Sequence, residues 1–217
     1  MKLSTLSTSM AGMTRKAINM LISNENYDQL KPMYPLLVQQ FVDDYNLMRG
    51  VALDIGSGPG WLGMELAKIT HMKIVFLDLS QDALDTSRRN FEELNVDNEV
   101  EYIKADVHEL PLEDDCADFI MSRGSIWFWA QPQKGLKEIE RVLKPGGVAI
   151  VGGGLGRYLP ESMRARLQGS IKQRLKERME TRPNPAEFKA MVEKADLNNY
   201  RVLTESEGGG RWVVIRK

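Results

Sequence analysis

The 217-residue chain holds one cysteine, Cys116, and two histidines, His71 and His108. A single thiol excludes an intramolecular disulfide and fits a reducing compartment. With so few sulfur and imidazole ligands, widely separated, no metal centre is expected. No apolar run approaches the ~20 residues that cross a bilayer, so no membrane association is expected. Charge of one sign is not in excess either: 29 basic and 30 acidic residues give a net charge of −1. That balance argues against a dedicated nucleic-acid binder. The amino terminus, Met1-Lys-Leu-Ser-Thr-Leu-Ser-Thr-Ser-Met10, has no sustained apolar region and reads as a Ser/Thr-rich leader rather than a signal peptide. The expected location is cytoplasmic, and the length suits a single domain with one full core.

What is present is an alternation. Strand-like runs at Val51–Ile55, Lys73–Asp78, Val100–Lys104, Ala117–Ser122 and Val148–Gly152 are separated by helical patterns at Trp61–Thr70, Gln81–Leu94 and Gln133–Leu143. Ser80 is placed to cap the second helix, and Pro132 to open the third. Near-continuous apolar strands alternating with helices predict a parallel sheet covered on both faces. Lys144-Pro-Gly-Gly147 reads as a turn between helix and strand, and His71 as part of the turn from the first helix to the second strand. Residues Thr14–Leu47 read as one or two helices before the sheet, a cap over 1–47 on a core of 51–152. An insertion over 155–199 carries an apolar stripe (Met163, Leu167, Ile171, Leu175, Met179) opposite a basic face from Arg164 to Arg178. Within it Asn184-Pro-Ala-Glu187 predicts a capped helix start. The segment 200–217 reads as a β-hairpin around Gly208-Gly-Gly210.

The most informative stretch is Val51-Ala-Leu-Asp-Ile-Gly-Ser-Gly-Pro-Gly-Trp61. A buried strand ends near Asp54, and Gly56, Ser57, Gly58 and Gly60 lead to a helix whose first N–H groups lack intrahelical partners. A dinucleotide fingerprint G-x-G-x-x-G would need a third glycine where Trp61 stands. The phosphate loop of nucleotide hydrolases is excluded because no Gly-Lys-Ser/Thr follows. Asp78 closes the second strand about 20 residues beyond the glycines, where an acid accepts from ribose hydroxyls. Asp106 follows the third strand, at the sheet edge where an exocyclic adenine amine can donate to it.

The glycine loop with Asp54, the acids Asp78 and Asp106, Leu-Pro-Leu-Glu-Asp-Asp-Cys-Ala-Asp-Phe before strand four and Arg141-Val-Leu-Lys-Pro-Gly-Gly147 before strand five together resemble the class I S-adenosylmethionine-dependent methyltransferases, in the branch often called methyltransferase type 11. The resemblance covers roughly Val51 to Gly152. It implies an α/β fold, a three-layer doubly wound sheet of seven strands, mostly parallel with one antiparallel strand from the C-terminal hairpin. It further implies that Gly56, Ser57, Gly58 and Gly60 hold the methionine part of the cofactor and that Asp78 with Leu79 holds the ribose. Asp106 with Val107 would hold the adenine, and Ser122 would lie beside the methionine moiety. Asp54 would hold the loop or meet the amino group.

The acceptor is less determined. Asn/Asp-Pro-Pro-aromatic, common after strand four in relatives that methylate adenine or glutamine amides, is absent from Met121-Ser-Arg-Gly-Ser-Ile-Trp-Phe-Trp-Ala130. Arg123, Trp127 and Trp129 are instead candidates for the acceptor pocket, with Tyr34 from the N-terminal side and His108 as a base. Each has a plainer reading as core packing, an ion pair or a backbone hydrogen bond. The expected activity is methyl transfer from S-adenosylmethionine to a small molecule, releasing S-adenosylhomocysteine. Protein or peptide methylation, a non-catalytic S-adenosylmethionine-binding module and an NAD-dependent oxidoreductase stand as alternatives.

Overall fold

The computed structural model describes residues 30–177 and 182–217. Tyr27, Arg178, Met179 and the first part of the Thr14–Leu47 stretch lie outside the described residues. A 3-10 turn (Lys31–Met33) enters α1 (Tyr34–Tyr45), followed by β1 (Arg49–Ile55), α2 (Trp61–Ile69), β2 (His71–Asp78), α3 (Gln81–Glu92), β3 (Val100–Lys104) and β4 (Ala117–Arg123). A second 3-10 turn (Ile126–Phe128) precedes α4 (Pro132–Val142) and β5 (Leu143–Gly154). Then come α5 (Glu161–Glu177), α6 (Pro185–Glu193), β6 (Tyr200–Leu203), a short α7 (Glu205–Gly208) and β7 (Gly210–Arg216).

The seven strands form one sheet in the order β3-β2-β1-β4-β5-β7-β6. β1 through β5 are mutually parallel, and β7 runs antiparallel to both β5 and β6. The seven-stranded, mostly parallel α/β fold expected from the sequence is therefore present. Alternate strand residues enter opposite faces. Ala52, Ile74, Phe76, Phe119, Met121 and Ile150 pack with α1, α2, α3 and Leu167 of α5. Leu53, Val75, Ile120 and Val151 pack with Leu136 and Ile139 of α4 and Phe188 and Val192 of α6. Ser80 caps α3 through Ala83 N–H, and Asn184 with Glu187 closes a reciprocal capping box on α6, as the sequence predicts.

Three local expectations are corrected. Lys144–Gly147 lies inside β5 rather than before it: β4 pairs Ala117 with Leu143 and Phe119 with Val148, so the extra β5 residues bulge out of register. Gly146 takes φ +84 within that bulge. The C-terminal hairpin does not turn tightly on its glycines; α7 fills the gap, Gly209 caps it in the left-handed region, and β7 starts at Gly210. His71 opens β2 rather than sitting in a turn.

The sheet and α2 meet through a glycine. A Cβ on Gly63 would stand 2.3 Å from Phe76 Cε1, and the Phe76 ring is fixed by Tyr102 (5.2 Å, stacked) and Phe91 (5.8 Å, edge-on). The ring is fully buried and has nowhere to move. Gly169 on α5 has nothing within 4 Å of its Cβ position and is exposed. Gly63→Ala is therefore expected to lower stability by about 1–3 kcal/mol through overpacking. Gly169→Ala should raise it by up to about 1 kcal/mol from helix propensity alone. Urea titration of both variants checks the opposite signs.

Candidate functional site

Strands β1, β2, β3 and β4 present their carboxyl ends along one edge, and the order reverses between β2 and β4 on either side of β1. Such a switch point opens a crevice above the strand ends. The loop from Ile55 to α2 fills it. Gly56, Gly58 and Gly60 take φ of +66, +54 and +84, which a residue with a Cβ adopts only under strain. Gly56 and Ser57 donate to Leu77 O of β2 at 2.8 and 3.1 Å, and Gly60 donates to Ser57 O at 3.0 Å. The absent side chains also make room for neighbours: a Cβ on Gly56 would strike Ser125 Cβ at 2.4 Å, and one on Gly60 would strike Ser87 Oγ at 2.4 Å. Asn90 of α3 donates to Pro59 O at 2.9 Å and closes the loop from above.

Two carboxylates lie beneath this loop. Asp78 accepts Gly58 N–H on Oδ2 and Ser80 N–H on Oδ1, each at 2.9 Å, so it ties the end of β2 to the loop and to the start of α3. Each oxygen keeps a lone pair for a further donor. Burial raises its pKa, against the lowering effect of those backbone bonds. Asp54 is 1 % exposed and accepts Gly63 N–H at 3.0 Å, one of the first-turn amides that α2 cannot satisfy internally. Burial first, and then the charge of Asp78, push its pKa up to about 7 against the help of that bond. Among the described residues no lysine or arginine pairs with either acid.

The loop also contains unpaired polar atoms. Ser57 Oγ, Trp61 Nε1 and Ser87 Oγ are buried without a hydrogen-bond partner, in the loop itself, in the first residue of α2 and against Gly60. Such orphans are rare in a folded protein and call for an explanation. Leu79, directly after Asp78, is 43 % exposed, one of four large hydrophobic side chains left so open among the described residues.

On the neighbouring loop Asp106 is exposed and Val107 is buried. His108 donates to Asp106 Oδ1 through its backbone N–H at 3.0 Å and through Nδ1 at 2.5 Å, and its Nε2 accepts Gln131 N–H at 3.2 Å. Burial alone would raise the Asp106 carboxyl, but the bonds from His108 outweigh it and hold it below its usual value. Both ring nitrogens of His108 are thus engaged, in a neutral Nδ1–H form, which leaves it no free nitrogen for base chemistry.

The remaining candidates are held in structural contacts. Ser122 is buried, and its Oγ lies 2.6 Å from Ser125 Oγ, which in turn reaches Ile55 O. Arg123 donates to Gly154 O at 3.0 Å and meets Tyr34 Oη at 3.4 Å, joining the ends of β4 and β5 to α1. Trp127 packs on Gly153 and Phe188, with Arg182 over its ring and its Nε1 buried without a partner. Trp129 packs beside Gly135. Strand alternation puts Arg123 on the α1 face, with Phe119 and Met121, while Trp127 in the following turn lies on the α4–α6 face. Sequence reading missed Ser87 and Asn90. Both are ordinary polar residues on α3, and their roles exist only because the loop comes close: Ser87 stands against Gly60, and Asn90 reaches Pro59 O. Cys116 carries a raised thiol pKa, chiefly from burial rather than from the acids beside it in sequence. No cluster of metal-binding side chains occurs among the described residues.

Comparison with known proteins bears on this geometry. Residues 53–151 match the family model described as a methyltransferase domain. The chain is 35 % identical over 100 residues to rice 2-methyl-6-phytyl-1,4-hydroquinone methyltransferase 1, covering 46 % of this chain and 29 % of that one. It is 35 % identical over 99 residues to demethylmenaquinone methyltransferase of Clavibacter sepedonicus, covering 46 % and 39 % respectively. The chain thus spans well under two thirds of the length of these curated relatives. Over its whole length it resembles the crystal structure of a putative S-adenosyl-L-methionine-dependent methyltransferase from Methanococcus maripaludis, with a TM-score of 0.78, 29 % identity and 97 % of that chain covered. With the glycine loop, the strand-end acids and this sheet order in one place, residues 53–151 belong to the methyltransferase-domain family, and the fold built around them is that of the class I, Rossmann-like S-adenosylmethionine-dependent methyltransferases.

Proposed function

We propose that the chain transfers a methyl group from S-adenosylmethionine to a small-molecule acceptor and releases S-adenosylhomocysteine. The observation that carries this reading is the pair of acids under the glycine loop, Asp54 buried and Asp78 half-buried, with no cationic partner among the described residues. A buried carboxylate lacking a counter-charge is costly, and a ligand bearing an ammonium and a sulfonium offsets that cost. A dinucleotide would instead bring a pyrophosphate, of the same sign as both acids.

The residues present fit the cofactor. Gly56 to Gly60 would receive its methionine part, with the unpaired Ser57 Oγ donating or accepting there. Asp78 has lone pairs left for two ribose hydroxyls, and the exposed Leu79 beside it offers an apolar surface for the nucleoside. Asp106 and Val107 would hold the adenine. Asp54 keeps the start of α2 in place and supplies negative potential toward the amino group. S-adenosylmethionine supplies an activated methyl group on sulfur, so the protein's contribution is alignment and exclusion of water. Arg123 at the end of β4 meets Tyr34 of α1, and Trp127 packs on Phe188 of α6; we assign α1 and the described part of the insertion, with Tyr34, Arg123, Trp127 and Trp129, to the acceptor side. Curated relatives that act on quinone-type small molecules support the acceptor class.

Ser57→Ala should weaken S-adenosylhomocysteine by about 3- to 10-fold, the worth of one hydrogen bond. The same change should leave the ligand-free thermal midpoint equal or higher, because it removes a buried unpaired group. Asp78→Ala should weaken binding by at least about tenfold through loss of charge-assisted bonds. Calorimetry with S-adenosylhomocysteine and with NAD measures both; preference for NAD overturns the reading.

The charge state of Asp54 is a separate test. Its folded pKa of about 7 stands above the usual 3.8, so the folded state binds this proton more tightly than the unfolded chain. The associated stability is complete below the unfolded value and is lost as pH rises through about 7. Asp54→Asn should therefore gain about 1–3 kcal/mol over the native chain between about pH 5 and about pH 8. Urea titrations at both pH values check this, and parallel curves would overturn it.

A further inference from the structure

We propose that His108 is a positioning residue for cofactor recognition: it orients the Asp106 carboxylate so that Oδ2 alone faces the exocyclic amine of the adenine. The inference rests on the reading above that Asp106 holds the adenine. The geometry is specific. Backbone N–H and Nδ1 of His108 both converge on Oδ1 of Asp106, which fixes the rotation of the carboxyl group and leaves Oδ2 outside that pair of bonds.

The ring that does this is itself anchored. Gln131 N–H donates to Nε2, so the imidazole bridges the loop after β3 and the segment that opens α4. That bond also selects the tautomer, since Nε2 must be the acceptor and Nδ1 the donor. Around it the loop is braced independently of His108. Glu109 N–H bonds Asp106 O at 3.0 Å, and Leu110 N–H bonds Glu138 Oε2 at 2.9 Å. Arg141 of α4 reaches Leu110 O and Leu112 O at 3.0 and 2.8 Å. Val107 packs beside Trp129 against Gly135. The loop backbone is thereby held without the imidazole. What the imidazole adds is the direction of one carboxylate whose side chain is otherwise 53 % exposed.

An exposed aspartate free to rotate would spread its two oxygens over several rotamers and lose part of its preference for a donor at one point. Locked by His108, it accepts from an amine and opposes a carbonyl oxygen at the same place. Specificity for adenine over a 6-oxo purine is the expected result, because a mismatched polar group at a fixed acceptor costs far more than a missing methylene.

The test compares S-adenosylhomocysteine with S-inosylhomocysteine, which carries a carbonyl where adenine carries its amine, by calorimetry on the full chain. The native protein should favour the adenosyl ligand at least tenfold. His108→Ala and His108→Gln should reduce that ratio to threefold or less. His108→Asn, whose amide can still donate to Oδ1, should keep it within about twofold of native. A purely structural role would weaken both ligands equally and leave the ratio unchanged, and that result in His108→Ala or His108→Gln overturns the proposal. If the native protein binds both ligands equally well, the assignment of adenine to Asp106 fails and the proposal with it. If it binds neither, the cofactor reading itself fails.

Discussion

A carboxylate at the end of one strand holding the backbone of the loop from the next is the constraint on which this edge of the molecule depends. Asp78 Oδ2 accepts Gly58 N–H, and Leu77 O receives Gly56 and Ser57 from the same turn. To reach both, the chain must pass through the left-handed region at each alternate residue from Gly56 to Gly60. Glycine at those positions then allows close approach from outside: Ser125 moves against Gly56 and Ser87 against Gly60. Gly63 continues the pattern one turn later, where α2 settles on Phe76. The loop conformation, the seating of α2 and α3 and the position of the β4 end are consequences of one arrangement rather than independent features.

Much of this was legible before any coordinates. Strand and helix alternation is an apolar-periodicity signal, and it gave the sheet and its two covered faces. Asp54 and Asp78 were identifiable because each ends an apolar run, and Asp106 because it follows the third strand-like run, which places all three at one edge. Other parts were illegible for definite reasons. The third glycine of a dinucleotide fingerprint allows close helix packing, and Trp61 at that position argued against it. Gly63 performs that packing two residues later, and only the position of Phe76 reveals it. Lys144-Pro-Gly-Gly147 carries every turn signal, yet pairing on both flanks draws it into β5 as a bulge. His108 was a candidate from sequence, but its bonding is invisible to spacing arguments because its partners, Asp106 Oδ1 and Gln131 N–H, come from a near neighbour and from a different loop.

The two sides of the edge differ in how their polar groups are engaged. At the ends of β4 and β5 Arg123 bonds Gly154 O and Tyr34, and Ser122 bonds Ser125. These groups maintain the relation of β4, β5 and α1, so the chemistry they can offer a second molecule is restricted to what those bonds leave over. Around the glycine loop the reverse holds. Ser57 Oγ is buried and unpaired, Asp54 and Asp78 have no cationic partner among the described residues, and Leu79 stands exposed. Each is unfavourable in isolation.

An arrangement with such local costs persists only where the surrounding structure imposes it. Here the imposing structure is the buried sheet beneath the loop, from Ala52 to Ile55 and Ile74 to Leu77. That division explains why the methyl donor is the better-defined half of the reaction. A rigid framework with unpaired groups of one charge specifies its ligand closely. A rim whose polar groups already serve one another specifies little beyond what the helices packed beside it, such as α1 and α6, can add.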